Sequence, residues 1–489
     1  MVPLLIALVY FTVLGVGASL VLRKQVSSGV DYVTAANRLS WPLVMFAFVL
    51  LPLGGGHTLS LWETSAGMGA SVLWWGIISG GLFVPLFMLW FGPWLRQLKV
   101  QTFPEAFGKI FGRDLGQIFA VVGPATWVGV CIAETSTVAT AIYALSGGAI
   151  PFAPWCIILA AIFTVIYVYA AGLLQVAWLN MFNAIMLIGG SFLALFYTGS
   201  WVAGHGGWEG IAATYAAAGE VWKLSTVHFS PDVIFNIIIP ITFCITLFCS
   251  TEQMNYMPML AAKSEAEIRK GVFWAAGING MACFPWVIMA LVAMSIPAIA
   301  QGGAKLSVPN FALEFLPPWV TGLMMIALMG ATLSTGSGLL LSTAHVVAHD
   351  VLKKALNPKM SDASFFKLTR LLVIVIGVVV TVPALMLPVI FPVFMWCFSF
   401  GIPIFTCYLI GMLWKINRTA TWINLIASYT VSFIWTFWTP SILPPEISLN
   451  IYPVTMCTIG LGIILNLILP GEPGMLRQIR AAEKTAVSA

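Results

Sequence analysis

Four short stretches combine residue types that could do chemistry. Glu134-Thr135-Ser136-Thr137 puts a carboxylate and three hydroxyls within about one helical turn, in the middle of an apolar run. A carboxylate is expensive in a lipid-facing segment, so such a residue is a candidate for an ion or solute pathway. Glu252, near the inner end of another apolar run, and Glu63, near the outer end of the second, are candidates of the same kind. In Leu51-Pro52-Leu53-Gly54-Gly55-Gly56-His57-Thr58, one proline and three glycines weaken a helix. The carbonyls so freed can coordinate a cation and the half-helix ends can face a solute, or the small residues can serve close packing. His57 can relay a proton or bond a solute, or be a hydrogen-bonded structural histidine. Gly330-Ala331-Thr332-Leu333-Ser334-Thr335-Gly336-Ser337-Gly338 offers neighbouring hydroxyls. These can supply hard oxygen ligands to a small cation or bond back to carbonyls of their own helix.

The elements that position these residues follow from composition. Hydrophobic residues are 60% of 489 positions and charged residues 8%, against roughly 25% charged in soluble domains, so the solvent of this chain is mostly lipid. Apolar runs near the roughly 20 residues needed to cross a bilayer fall at 2–22, 41–66, 70–94, 115–145, 152–172, 174–202, 233–254, 271–298, 319–350, 370–388, 389–414, 418–438 and 449–470. The expected fold class is an all-α integral membrane protein of about thirteen transmembrane helices, since the alternating strands of a barrel are absent. Residues 2–22 lack a basic flank ahead of them and run into Arg23-Lys24, which reads as a retained first span with its N-terminus outside. With that orientation the inner loops and C-terminal tail hold 20 of the 22 Lys and Arg residues, Lys223 and Lys305 being the exceptions, as the positive-inside rule requires. The expected location is the cell membrane, multi-pass, with the C-terminus cytoplasmic.

Other classes are excluded on the same grounds. The net charge of +5 sits in short loops, with no basic tract interleaved with aromatics, so no nucleic-acid partner is expected. The eight cysteines form no ligand pattern and read as small buried hydrophobes. No paired catalytic carboxylate or nucleophile–base motif is present, so the chain does not read as an enzyme.

Several separated segments resemble the sodium:solute symporter family. They are Asp31-Tyr32-Val33-Thr34-Ala35-Ala36-Asn37-Arg38 after the first span, Thr102-Phe103-Pro104-Glu105 through Lys109-Ile110-Phe111-Gly112, Gly172-Leu173-Leu174-Gln175-Val176-Ala177-Trp178-Leu179-Asn180, and Leu260-Ala261-Ala262-Lys263. Ala331, Ser334, Thr335, Ser337, Leu339, Asp350 and Lys353 follow a further pattern of that family. The resemblance covers roughly residues 1–415. It implies a five-plus-five inverted-repeat (LeuT-like) transporter with extra helices at both ends. The expected divisions are 1–40, 41–202 for the first repeat, 203–414 for an outer loop and the second repeat, and 415–489.

The resemblance also implies a sodium site made of the hydroxyls of Ser334 and Thr335, the carbonyl of Ala331, and carbonyls at Pro52 and Gly55. Solute is expected near the midplane against His57, Thr58, Glu134, Thr242, Cys244 and Glu252. The function implied is sodium-coupled symport of a small polar organic solute by alternating access. The solute is a carboxylate, an amino acid, or an amine if Glu134 or Glu252 faces the site ionised. A proton-coupled or sodium-independent carrier and a non-transporting membrane sensor are the alternatives. Partners are sodium, the solute and the bilayer, with a single copy as the expected unit. The chain departs from the family at Asn180, where an Asp linked to sodium is usual, and at Met257-Pro258-Met259, where an Arg is usual. It departs again at Glu252, where some relatives carry Asn, and at the Gly54–Gly56 run.

Overall fold

The computed structural model describes residues 2–488 apart from 27, 36–37, 51–53, 79–80, 82–85, 170–171, 387–390, 439–442, 445–446 and 448. It gives backbone only at 30, 87–88, 244–245, 391–395, 398 and 486–488. The chain is almost entirely helical. Among the described residues nine helices are long and apolar enough to cross a membrane, and a tenth crossing is the bent pair Trp41–Leu50 and Gly55–Ile78. Helices Phe391–Leu413 and Arg418–Trp438 occupy two more of the expected apolar runs. The run expected at 70–94 is not one regular helix: a 3₁₀ turn at Gly69–Val72, a short helix Leu73–Ile78, a π-helical turn at Phe87–Phe91 and a helix Gly92–Gln97 follow one another. Large apolar side chains such as Phe196, Ile468 and Trp438 stand out on the surface, as lipid-facing positions do.

Helix Pro318–Val346 is the axis of the molecule, buried along nearly its whole length. It packs against Gly172–Gly204 and Arg113–Leu145. The first of these contacts is made by backbone, because small residues let the helices approach closely. A Cβ on Gly190 would lie 2.7 Å from the carbonyl oxygen of Leu323, and one on Gly330 would lie 2.9 Å from the Asn183 side chain. Asn183 bridges the same seam, donating to the Gly330 carbonyl at 3.3 Å and contacting the Tyr167 hydroxyl, while the Tyr10 hydroxyl donates to it at 3.1 Å.

Several of the segments that carry the family resemblance meet one another through polar contacts. Thr102 caps helix Phe103–Phe111 by accepting the Glu105 amide at 3.2 Å. Its hydroxyl donates to Asp350 at 2.7 Å. Lys354, not Lys353, reaches Glu105 at 2.7 Å, and the Lys353 ammonium lies over the Phe365 ring. Gln253 accepts the Phe103 amide at 2.7 Å and donates to the Gln101 carbonyl at 3.1 Å. Arg96 donates to the carbonyls of Met259 and Ala262, and Leu39 pairs with Ala261 and Lys263 through backbone bonds. Gly172 adopts φ +56°, and a Cβ there would meet the Tyr32 carbonyl at 2.1 Å. A left-handed conformation under such contact admits only glycine.

Candidate functional site

Pro52 lies outside the described residues, but both sides of the break it belongs to are defined. Helix Trp41–Leu50 lies on one side, Gly54 on the other is extended at φ −61°, ψ 166°, and the stretch Gly55–Ile78 is bent by 41° from the first helix. The end of the first half leaves carbonyls without intrahelical partners at the negative end of a helix dipole. One of them is met from across the molecule: the Thr335 hydroxyl donates to the Leu50 carbonyl at 2.8 Å, and lies 3.3 Å from the Ala331 carbonyl of its own helix. The neighbouring Ser334 is fully buried, and its hydroxyl has no hydrogen-bond partner among the described residues. A buried hydroxyl left unsatisfied is uncommon and asks for a ligand. Leu50 and Ala331 carbonyls with Ser334 and Thr335 hydroxyls form an all-oxygen set suited to a small hard cation.

Gly55 opens the second half-helix, while on the other side of the break the Leu50 carbonyl faces Thr335. Nothing in an apolar side chain signals that, because only its backbone takes part.

The second half of the break is capped by protein. The Gly56 amide donates to Glu134 Oε2 at 3.1 Å, so a carboxylate on helix Arg113–Leu145 sits at the positive end of the half-helix. The glycine run exists to admit it. A Cβ on Gly54 would fall 2.1 Å from Glu134 Oε1, and one on Gly55 would fall 1.6 Å from the Thr332 hydroxyl.

Helix Pro231–Thr251 is also interrupted. Glu252 adopts φ −73°, ψ 117° between a 3₁₀ turn, Cys249–Thr251, and helix Gln253–Leu260. Asn255 Nδ2 donates to Glu252 Oε2 at 3.2 Å. Glu252 lies within coulombic reach of Glu134, and each carboxylate residue is 2% exposed. The structure is therefore closed around both.

The remaining predicted residues divide. His57 is buried, stacked at a tilt on Trp75 with centroids 4.7 Å apart and with Nε2 4.0 Å from Cys283 Sγ. Thr58 donates to the Gly54 carbonyl at 3.2 Å, which spends its hydroxyl on the cap. Thr242 is half-buried and donates to Ile238 one turn back at 2.7 Å. The structure therefore gives no reason to group Thr242 with Glu134. The Cys244 side chain lies outside the described atoms. Glu63 leaves one buried carboxylate oxygen without a hydrogen bond among the described residues. Asn180 is fully buried at about the level of Ser334 in the antiparallel seam set by Asn183–Gly330 and Gly190–Leu323, and neither amide atom has a hydrogen-bond partner among the described residues.

Interrupted helices around a buried polar centre, on a multi-pass helical frame, are the arrangement that secondary transporters of the LeuT-like type use. The frame matches a Na+-coupled sialic acid symporter with a TM-score of 0.80 at 16% identity, over 97% of this chain and 99% of that one. A nucleobase-cation-symport-1 family transporter bound to bromovinylhydantoin matches at 0.57 and 11% identity, over 90% and 95%. The chain belongs to the sodium:solute symporter family, whose profile matches residues 32–423, and sodium is the coupling ion that goes with that membership. Among its relatives, a sodium/glucose cotransporter of Vibrio parahaemolyticus is 24% identical over 419 residues, 79% of this chain and 75% of the relative. The human sodium/myo-inositol cotransporter 2 is 25% identical over 423 residues, 79% of this chain and 60% of its own length. The chain thus spans about three fifths of the mammalian relatives it matches.

Proposed function

We propose that this protein is a sodium-coupled symporter that moves a small polar organic solute across the cell membrane by alternating access. In this reading it has thirteen spans, with the N-terminus outside and the C-terminus cytoplasmic, and residues 41–202 and 203–414 are inverted repeats. The two interruptions, between helices Trp41–Leu50 and Gly55–Met68 and at Glu252, support the repeat reading, because each falls in the first span of its half. Sodium binds the carbonyls of Leu50 and Ala331 and the hydroxyls of Ser334 and Thr335, bridging the broken helix and the axial helix. Solute binds beside Glu134 and Glu252, with His57 on the half-helix that Glu134 caps. Sodium favours the state in which Leu50 and Thr335 stay together, and solute completes closure before the inner half opens.

The observation that carries this reading is the pairing of the Leu50 carbonyl with Thr335, beside the unpartnered hydroxyl of Ser334. One charge crossing 100 mV is worth roughly 2.3 kcal/mol, so a single sodium can drive substantial accumulation. The unbonded Asn180 amide, in the position of the family's acidic residue, favours one sodium over two. The test is solute uptake into proteoliposomes under an inward sodium gradient, with potassium as the replacement ion. Uptake that is equal in both salts, or that follows a proton gradient instead, rules the reading out.

A further inference from the structure

We infer that the solute recognised beside Glu134 and Glu252 is a small organic cation, an amine able to donate N–H bonds, and not a carboxylate. The inference rests on the transporter reading and deepens it. In transporters with broken helices, a half-helix N-terminus is a natural receptor for an anionic group of the solute. Here that receptor is already filled: Glu134 accepts the Gly56 amide, and Gly54 leaves no room between the backbone and the carboxylate. An anionic solute would meet a protein carboxylate where its counter-dipole should be.

The opposite break repeats the pattern. Glu252 accepts one bond from Asn255 Nδ2, which also donates to the Cys249 carbonyl at 2.8 Å. The other atom of that planar amide, Oδ1, belongs to a fully buried residue and has no partner among the described residues. Beside Glu252, then, an unsatisfied acceptor adjoins a carboxylate, and what is missing is a donor. Among the described residues no Lys or Arg forms an ion pair with either glutamate; the acidic partners in ion pairs there are Glu220, Asp350, Glu105 and Asp114. His57, on the half-helix that Glu134 caps, faces Trp75 and Cys283.

Charge arithmetic gives the same answer. In the loaded state, two ionised carboxylates and one sodium leave one negative charge for the solute to match; without a partner a buried carboxylate protonates instead. A monovalent ammonium supplies both the charge and the donors. Neutral sugars would supply donors only, and a carboxylate neither.

The test uses the purified full-length chain with methylamine, ethanolamine and putrescine set against acetate, glucose and myo-inositol, in sodium chloride and in potassium chloride of equal ionic strength. Thermal midpoint and calorimetric affinity are the readouts. At least one amine raises the midpoint in sodium, and the acids and polyols do not. Glu134→Gln and Glu252→Gln, each checked for wild-type elution on size exclusion, weaken that binding roughly tenfold to a hundredfold, as loss of a charge-assisted hydrogen bond does. Binding of a sugar or acetate without binding of any amine overturns the inference, as does amine binding unchanged in the double variant. Amine binding that is equal in both salts keeps the inference and sinks sodium coupling, whereas acetate binding seen only in sodium does the reverse. Absence of binding by every amine tested overturns the inference.

Discussion

The Thr335 hydroxyl donates to the Leu50 carbonyl at 2.8 Å, joining two residues 285 positions apart at the point where one helix ends. Thr335→Val keeps the shape and removes the donor. Leaving a buried carbonyl unmatched costs about 1–3 kcal/mol. If the same hydroxyl holds sodium, the half-saturating sodium concentration for thermal stabilisation rises roughly tenfold, and Thr335→Ser restores most of it. A Thr335→Val protein with wild-type sodium dependence would move the ion elsewhere.

Gly55→Ala tests the close approach at the break. The added methyl would sit 1.6 Å from the Thr332 hydroxyl and 3.0 Å from Thr137, and neither short side chain can swing far enough to accommodate it. Overpacking of this kind typically costs about 1–3 kcal/mol. The thermal midpoint should fall, and Thr332→Ala in the same chain should recover part of the loss. Additive loss in the double variant would contradict the contact.

Sequence reading found the break and the hydroxyl pair because glycine, proline and adjacent Ser-Thr leave a compositional mark inside an apolar run. It did not find the partners. Leu50 takes part through its backbone, which any residue has. Glu134 and Gly56 are 78 positions apart, and no local pattern announces that one caps the other. Glu252 interrupts its helix without a glycine or proline at that position, so depth alone marked it. Thr242 shows why residue type alone assigns little, since a helical threonine readily bonds one turn back. Lys353 and Lys354 are adjacent, and only the turn of the π-helical segment Val347–Leu356 decides which of them faces Glu105.

The Glu105–Lys354 pair gives a pH-dependent prediction. Burial raises the Glu105 carboxyl, but the bonds from Lys354 and the Gln101 amide outweigh it and hold the group below its ordinary value. A carboxylate depressed in the folded state contributes its full stabilisation above the ordinary glutamate value of about 4.3, and loses it as pH falls through the folded value. Lys354→Met should therefore lower stability modestly at neutral pH, by about 1 kcal/mol or less for a partly exposed pair. The difference from wild type should vanish in acid. Hydrogen exchange at residues 99–106 should also quicken in the variant at neutral pH.

Arg418 and Asp114 form the contrasting case. Their bond is short, 2.7 Å, but the side chains are 61% and 37% exposed. Surface pairs of this kind contribute roughly 0–1 kcal/mol. Arg418→Gln should leave the thermal midpoint nearly unchanged, and a large drop would mean that this corner bears more of the fold than its exposure suggests.

The glycine-lined seam between Gly172–Gly204 and Pro318–Val346 has a mechanical consequence. Where backbones touch with no side-chain layer between them, neither helix can slide without collision, so the two act as one stiff post. Ser334 and Thr335 are mounted on that post, while Leu50 rides on the interrupted helix beside it. An ion shared between them works as a tie-rod from a fixed wall to a swinging door. Whatever free energy it gains on binding must be given back before the door can move.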